Sequence, residues 1–155
     1  NIESQNASLK IYGFGRDEFV QKLKTISIDD KRVTFEGPFP SDKLGDILGR
    51  IDILITPSIC YETYSFTLHE ALACNIPVIA SNLGAMTEEI IDNYNGFTFS
   101  PGVVYELTQK MELMVNNPLI LNKLRENINN QIIIPSVEQE AYAYNKLYNN
   151  NAINH

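Results

Sequence analysis

The feature that most constrains this chain is an alternation: short apolar runs rich in β-branched residues take turns with helix-patterned stretches almost from end to end. Leu9–Gly13 (LKIYG) reads as a strand, Glu18–Ile26 as the helix after it, and Arg32–Gly37 (RVTFEG) as the next strand, stopped by Pro38 and Pro40. Ser41 is placed to cap a short helix in which Leu44, Ile47 and Leu48 share a face. Ile51–Thr56 and Ile76–Ser81 are apolar without alternation, as expected of strands covered on both faces, and Gly96–Ser100 supplies a fifth strand. Helices are predicted over Val103–Asn116 and Leu119–Asn129, broken at Pro118, and over Ser136–Tyr148. On the last of these, Val137, Ala141, Tyr144 and Tyr148 form a stripe at helical spacing that reads as core packing. Residues 1–8 are then a remnant of a preceding segment, 9–148 one domain, and 149–155 an asparagine-rich disordered tail or linker.

Repetition of this kind implies right-handed βαβ units and an α/β fold, a Rossmann-like α/β/α sandwich around a mostly parallel sheet. Ligands of such sheets bind beyond the carboxyl ends of the strands. That rule gathers Gly13–Phe14–Gly15, Gly37–Pro38, Pro57–Glu62 and Ser81–Gly84 at one rim.

Composition narrows what the rim can serve. At 155 residues, with 44% apolar and 20% charged content, the chain suits one globular domain with a real core. Its formal charge of −7 argues against a nucleic-acid partner, and it requires that an anionic ligand be met by backbone donors or locally placed cations. Cys60 and Cys74 do not amount to a disulfide framework and read as small buried hydrophobes in a reducing, cytoplasmic setting. No apolar run approaches the ~20 residues that cross a bilayer. The chain begins at Asn1 rather than Met, so the expectation is a piece of a longer protein whose missing part lies upstream.

The segment Pro57–Glu89 (PSICYETYSFTLHEALACNIPVIASNLGAMTEE) concentrates the chemistry, with Glu62 and Glu70 eight positions apart across a turn that opens a helix. With Ser65 as N-cap, the amides of Phe66, Thr67 and Leu68 have no partner inside the helix and face the cleft, aided by the helix dipole. Thr67 and Glu70 share a face, whereas Leu68, Ala71 and Leu72 make the buried stripe. Two carboxylates with free N–H groups between them suit a ligand hydroxylated at both ends and anionic in the middle, a description that fits a nucleotide-sugar. A solvated Glu on an amphipathic helix is the plain alternative. Against it, Glu70 sits beside Ala71–Leu72–Ala73, an odd place for an unpartnered charge.

Other candidates carry less. Gly13–Phe14–Gly15 begins like a dinucleotide fingerprint, but its third glycine position is Glu18 and no clear ribose-binding acid ends the next strand, so a nicotinamide cofactor is rejected. Gly13 and Gly15 still permit a close backbone approach, and Arg16 directly after them is a candidate phosphate ligand. His69 reads as structural, since helix neighbours point about 100° apart and no second metal-ligand candidate stands at useful spacing. Gly84 reads as the pivot of a tight strand-to-helix turn.

The stretch from Pro57 to Ile90 resembles the signature region of retaining family 4 glycosyltransferases of the GT-B fold, which carry a run E-x7-E-A-x-A-x-G-x-P-V-I-A-S followed by a glycine-containing loop and a Glu. LKIYGFG and VTFEGPF resemble that family's two preceding strands, and NGFTFSPG its later element, so the likeness spans Leu9 to Leu124. The resemblance implies one half of a two-domain GT-B enzyme, the donor-binding half. By analogy Glu62 is the catalytic candidate, binding sugar hydroxyls near the anomeric carbon, and Glu70 accepts from the ribose hydroxyls. The backbone of Tyr64, Ser65, Phe66 and Thr67 holds the diphosphate, and Gly37–Pro38 lies near the base.

The resemblance also implies a nucleotide-sugar donor as co-substrate, no metal or other cofactor, retention of anomeric configuration, and a setting in polysaccharide assembly. The enzyme is then cytoplasmic or peripheral at the inner face of the membrane, any membrane contact running through the missing N-terminal acceptor domain. Two departures stand out: the family's Gly-Phe-Gly turn is Thr63–Tyr64–Ser65 here, which implies a stiffer loop, and its glycine before I-P-V is Asn75, which also tolerates the left-handed region. The family's first strand, with an Arg and a Lys that neutralise the phosphates, has no counterpart in Asn1–Ser8. This chain alone is therefore expected to be inactive. The rival readings are a nucleotide-sugar epimerase or hydrolase on the same architecture, with Glu62 and His69 as its acid–base pair, and a non-catalytic nucleotide-sugar-binding module.

Overall fold

The computed structural model describes residues 6–131 and 135–151. Its elements follow the alternation read above: β1 (Leu9–Tyr12), α1 (Asp17–Ile26), β2 (Val33–Gly37), α2 (Leu44–Leu48), β3 (Leu54–Thr56), α3 (Phe66–Ala73), β4 (Val78–Ser81), α4 (Met86–Glu89), β5 (Gly96–Phe99), α5 (Val104–Asn116), α6 (Pro118–Gln131) and α7 (Val137–Asn151). All strand pairs are parallel, as the crossover helices require. The strands divide, however, into two sheets instead of one: β1–β2, and β3–β4–β5 with β4 in the middle. Among the described residues β1 pairs only with β2 and β3 only with β4, which leaves one edge of each open.

The non-alternating strands are explained by burial on both sides. Along β4, Val78 and Ala80 point into a cluster with Leu68, Ala71, Leu72 and Met86, while Ile79 points the other way, to Phe97, Phe99, Met114 and Leu124. Every residue of β4 is buried. Two helical layers thus cover the three-stranded sheet, with α2, α3 and α4 on one face and α5 on the other, while α6 contributes Ile128 to one cluster and Leu124 to the other. Each large side chain buried there is worth about 1.5–3 kcal/mol. Asn75, in the place where the resembled family has glycine, takes φ +62° at the end of α3, and its left-handed turn lets Ile76 start the run into β4.

Four details differ from expectation. Ser41 opens a short 3-10 turn behind Pro40 and makes no capping bond, because the proline's extended backbone already sets the entry. Cys60 and Cys74 are exposed, since one lies on the β3–α3 loop and the other caps the C-terminus of α3. The stripe on α7 is not core: Val137, Ala141, Tyr144 and Tyr148 are exposed, as is every residue from Pro135 to Asn149. That helix also runs into the stretch read as tail, to Asn151. Residues 152–155, and the first five of the expected N-terminal remnant, lie outside the described residues.

Candidate functional site

From the carboxyl end of β3 the chain loops out through Pro57–Tyr64 and turns into α3. Ser65 occupies the N-cap position with extended backbone, φ −105° and ψ 95°, yet its hydroxyl does not cap the helix. Its carbonyl is used instead, accepting from the His69 amide at 3.1 Å and facing His69 Nδ1 at 2.8 Å. The amides of Phe66, Thr67 and Leu68 therefore donate to no protein group among the described residues, as the spacing predicts. Leu68, Ala71 and Leu72 are buried against the sheet, which turns Thr67 outward and leaves Glu70 half-buried between the two faces.

Glu62 is also half-buried, and neither its carboxylate nor that of Glu70 makes a hydrogen bond or ion pair among the described residues. The position of Glu62 is set through its backbone. Ala85, on the loop after β4, donates its amide to the Glu62 carbonyl at 3.0 Å. Gly84 packs so closely that a Cβ there would stand 2.7 Å from that same oxygen, and its φ of +59° is itself a glycine conformation. Thr56 Oγ1 and Ser81 Oγ, at the carboxyl ends of β3 and β4, are buried without a hydrogen-bond partner among the described residues.

The aromatic side of the turn is packed as well. Tyr64 stacks on the His69 ring at 4.0 Å between centroids with the planes 12° apart, and meets Phe66 edge-on at 5.0 Å. Partial desolvation, then the negative charges of Glu140 and Glu89, push the Tyr64 phenol above its usual range. His69 Nε2 lies 3.4 Å from the Glu89 carboxylate. Glu89 is fixed in turn by Asn95, a fully buried side chain whose Nδ2 donates to the Glu89 carbonyl at 2.7 Å and whose Oδ1 accepts from the Ile91 amide at 2.8 Å.

The remaining candidates form a second group on the two-stranded sheet. The Gly13 amide donates to the Gly37 carbonyl at 2.9 Å, and both glycines have positive φ, +114° and +75°. Arg16 caps α1 through its carbonyl and is exposed, as are Gly15 and Pro38. No hydrogen bond, ion pair or ring contact among the described residues joins this group to the Glu62–Glu70 group. Sequence reasoning missed Glu89 and Asn95. The signal for Glu89 was a second acid directly after Glu88 in the short helix that follows Gly84; the signal for Asn95 was an amide side chain in front of an apolar strand.

Comparison with known proteins bears on this geometry. The family profile described as glycosyl transferases group 1 matches residues 1–117. An uncharacterized glycosyltransferase of Methanocaldococcus jannaschii is 30% identical over 128 residues, 81% of this chain and 36% of the relative. A phosphatidyl-myo-inositol mannosyltransferase of Propionibacterium freudenreichii is 33% identical over 88 residues, 56% of this chain and 23% of the relative. Among solved structures, sucrose-phosphate synthase of Thermosynechococcus elongatus superposes with a TM-score of 0.79 at 22% identity, over 96% of this chain and 39% of that one. HepE of Anabaena in complex with UDP gives 0.74 at 22% identity, over 81% of this chain and 35% of that one. At such identity the likeness establishes the fold. The chain spans 21% to 36% of the length of the curated relatives it matches.

Proposed function

The chain belongs to the glycosyl transferases group 1, and from that premise we propose that it is the donor-binding domain of a GT-B enzyme moving a hexose-type sugar from a nucleoside diphosphate to an acceptor hydroxyl. The observation that carries the reading is the pair of half-buried, unpartnered carboxylates, Glu62 and Glu70, on either side of the free amides that open α3. Glu62 holds sugar hydroxyls and places the anomeric carbon, and Glu70 accepts from the ribose. Phe66, Thr67 and Leu68 amides meet the departing diphosphate, so that orientation and electrostatics do the catalytic work. Gly13, Gly15, Arg16, Gly37 and Pro38 border the base and phosphate side of the same ligand.

On this reading the anomeric configuration is retained, no metal takes part, and the product belongs to polysaccharide assembly on the cytoplasmic side of the membrane. No described helix is long and apolar enough to cross a membrane. The open edges of β1 and β3 support the view that further chain completes the domain. A strand inserted between them would give the doubly wound order 3-2-1-4-5-6, and it would bring phosphate-neutralising cations to add to Arg16 at this rim. The acceptor domain is likewise supplied by further chain. The engagement of both His69 nitrogens disfavours an epimerase, which needs that ring free for acid–base work.

The test is turnover of the full-length protein against a panel of nucleotide-sugars. Glu62→Gln and Glu70→Gln are expected to lose activity by on the order of 10² or more with the melting temperature preserved. Chelation with EDTA is expected to leave the rate unchanged. Full activity in both variants would sink the assignment.

A further inference from the structure

His69 does more than fill space between α3 and the sheet. Its Nδ1 faces the Ser65 carbonyl at 2.8 Å, its Nε2 faces the Glu89 carboxylate at 3.4 Å, and its flat side lies on Tyr64 at 4.0 Å. Both ring nitrogens thus face oxygen acceptors of the protein, and the side chain is only 11% exposed, so these contacts are little diluted by water. The three partners come from two stretches of chain. Tyr64 and Ser65 form the turn that starts α3, and Glu89 ends α4, held there by Asn95. The ring is therefore a side-chain tie from the turn before α3 to the end of α4, whose start the Ala85–Glu62 backbone bond joins to the same β3–α3 connection.

We propose that His69 is a positioning residue for sugar transfer: braced by Glu89 and stacked on Tyr64, it fixes the Tyr64–Ser65 turn and with it the row of free amides from Phe66 to Leu68. This rests on the reading of that row as a donor cradle. Amides aimed at developing charge act by preorganisation, so a turn that carries three side chains, Thr63, Tyr64 and Ser65, needs an anchor, and the imidazole supplies it. A histidine that merely packs would act through stability alone. Glu89, with a side chain 41% exposed, would then be silent, which makes it the discriminating position.

The experiment uses the full-length protein and its His69→Ala, Glu89→Ala, Glu89→Gln and His69→Ala/Glu89→Ala variants. Glu89→Ala should lower kcat/KM for the nucleotide-sugar about 10-fold or more with the melting temperature nearly unchanged, as expected of a displaced catalytic frame. The double variant should be no worse than His69→Ala alone, because both act through one tie. Glu89→Gln keeps an acceptor oxygen and should restore most of the loss. Amide exchange across Tyr64–Leu68 should quicken in Glu89→Ala while Val78–Ser81 stays protected. Wild-type kcat/KM and exchange in Glu89→Ala, or single losses that simply multiply in the double variant, would overturn the proposal. If the wild-type protein transfers no sugar at all, the donor-cradle reading fails instead; exchange across Tyr64–Leu68 then decides alone, and no change there refutes the brace.

Discussion

Gly84 illustrates how much of this site is decided one residue at a time. Its φ of +59° would cost an alanine about 1–2 kcal/mol in backbone strain alone. The added methyl would also meet the Glu62 carbonyl at 2.7 Å and the Glu62 nitrogen at 3.1 Å, so relief requires the Glu62 loop to move. Gly84→Ala is therefore expected to lower the melting temperature modestly and the transfer rate by on the order of 10²-fold, the penalty of a displacement near 1 Å at a reacting centre. A rate loss no larger than the stability loss explains would show that the contact does not set Glu62. The sequence marks Gly84 as a turn residue and no more. Contacts with a backbone atom more than twenty positions away leave no trace in local spacing. The same holds for His69, since only the fold brings Glu89 to its far nitrogen.

At the level of elements, the short α4–β5 connection is held by one buried amide. Asn95 is 1% exposed and bonds both the Glu89 carbonyl and the Ile91 amide, so Asn95→Ala leaves two groups short at about 1–3 kcal/mol each. Chemical denaturation should show a lower midpoint with an unchanged slope. Next to it, Gly96 lets β5 approach β4: a methyl there would overlap the Val78 carbonyl, and Gly96→Ala should cost more than Asn95→Ala. The connection between α1 and β2 carries a charge test instead. Hydrogen bonds from Arg32 hold the Asp30 carboxyl down to about 2. Because the folded value lies below the unfolded one, its contribution is present above about pH 4 and lost as pH falls through about 2. A titration followed by NMR should place its midpoint there, and Arg32→Ala should return it toward ~3.9. Element types and order were legible because β4 and its neighbours need apolar residues on both faces, a demand written in consecutive positions. The stripe on α7 misled for the converse reason: helical spacing reports that a face is apolar, and does not report what covers it.

On the scale of the whole molecule, the candidate residues are divided between two sheets that each keep an open edge among the described residues, with Glu62 and Glu70 following β3 and Gly13, Arg16 and Gly37 at the ends of β1 and β2. A ligand reaching from base to sugar would have to engage both, so its affinity measures how well the two are joined. If further chain supplies two charge-assisted phosphate contacts at roughly 1.5–3 kcal/mol each, their loss corresponds to a weakening of about two to four decades in Kd. A full-length protein held at 100 times its Kd gains about 2.7 kcal/mol from ligand, whereas a chain weakened by two decades or more gains no more than about 0.4 kcal/mol at the same concentration. Melting curves of the two, each with and without a panel of nucleotide-sugars, should therefore show a selective rise for the full-length protein, abolished by Glu70→Gln, and almost none for residues 1–155. Were the 155-residue chain to rise as much as its parent, the phosphates must be neutralised by groups within it. Arg16, exposed directly after the Gly13 turn, would be the first to remove, since a free guanidinium can pair bidentately with a phosphate.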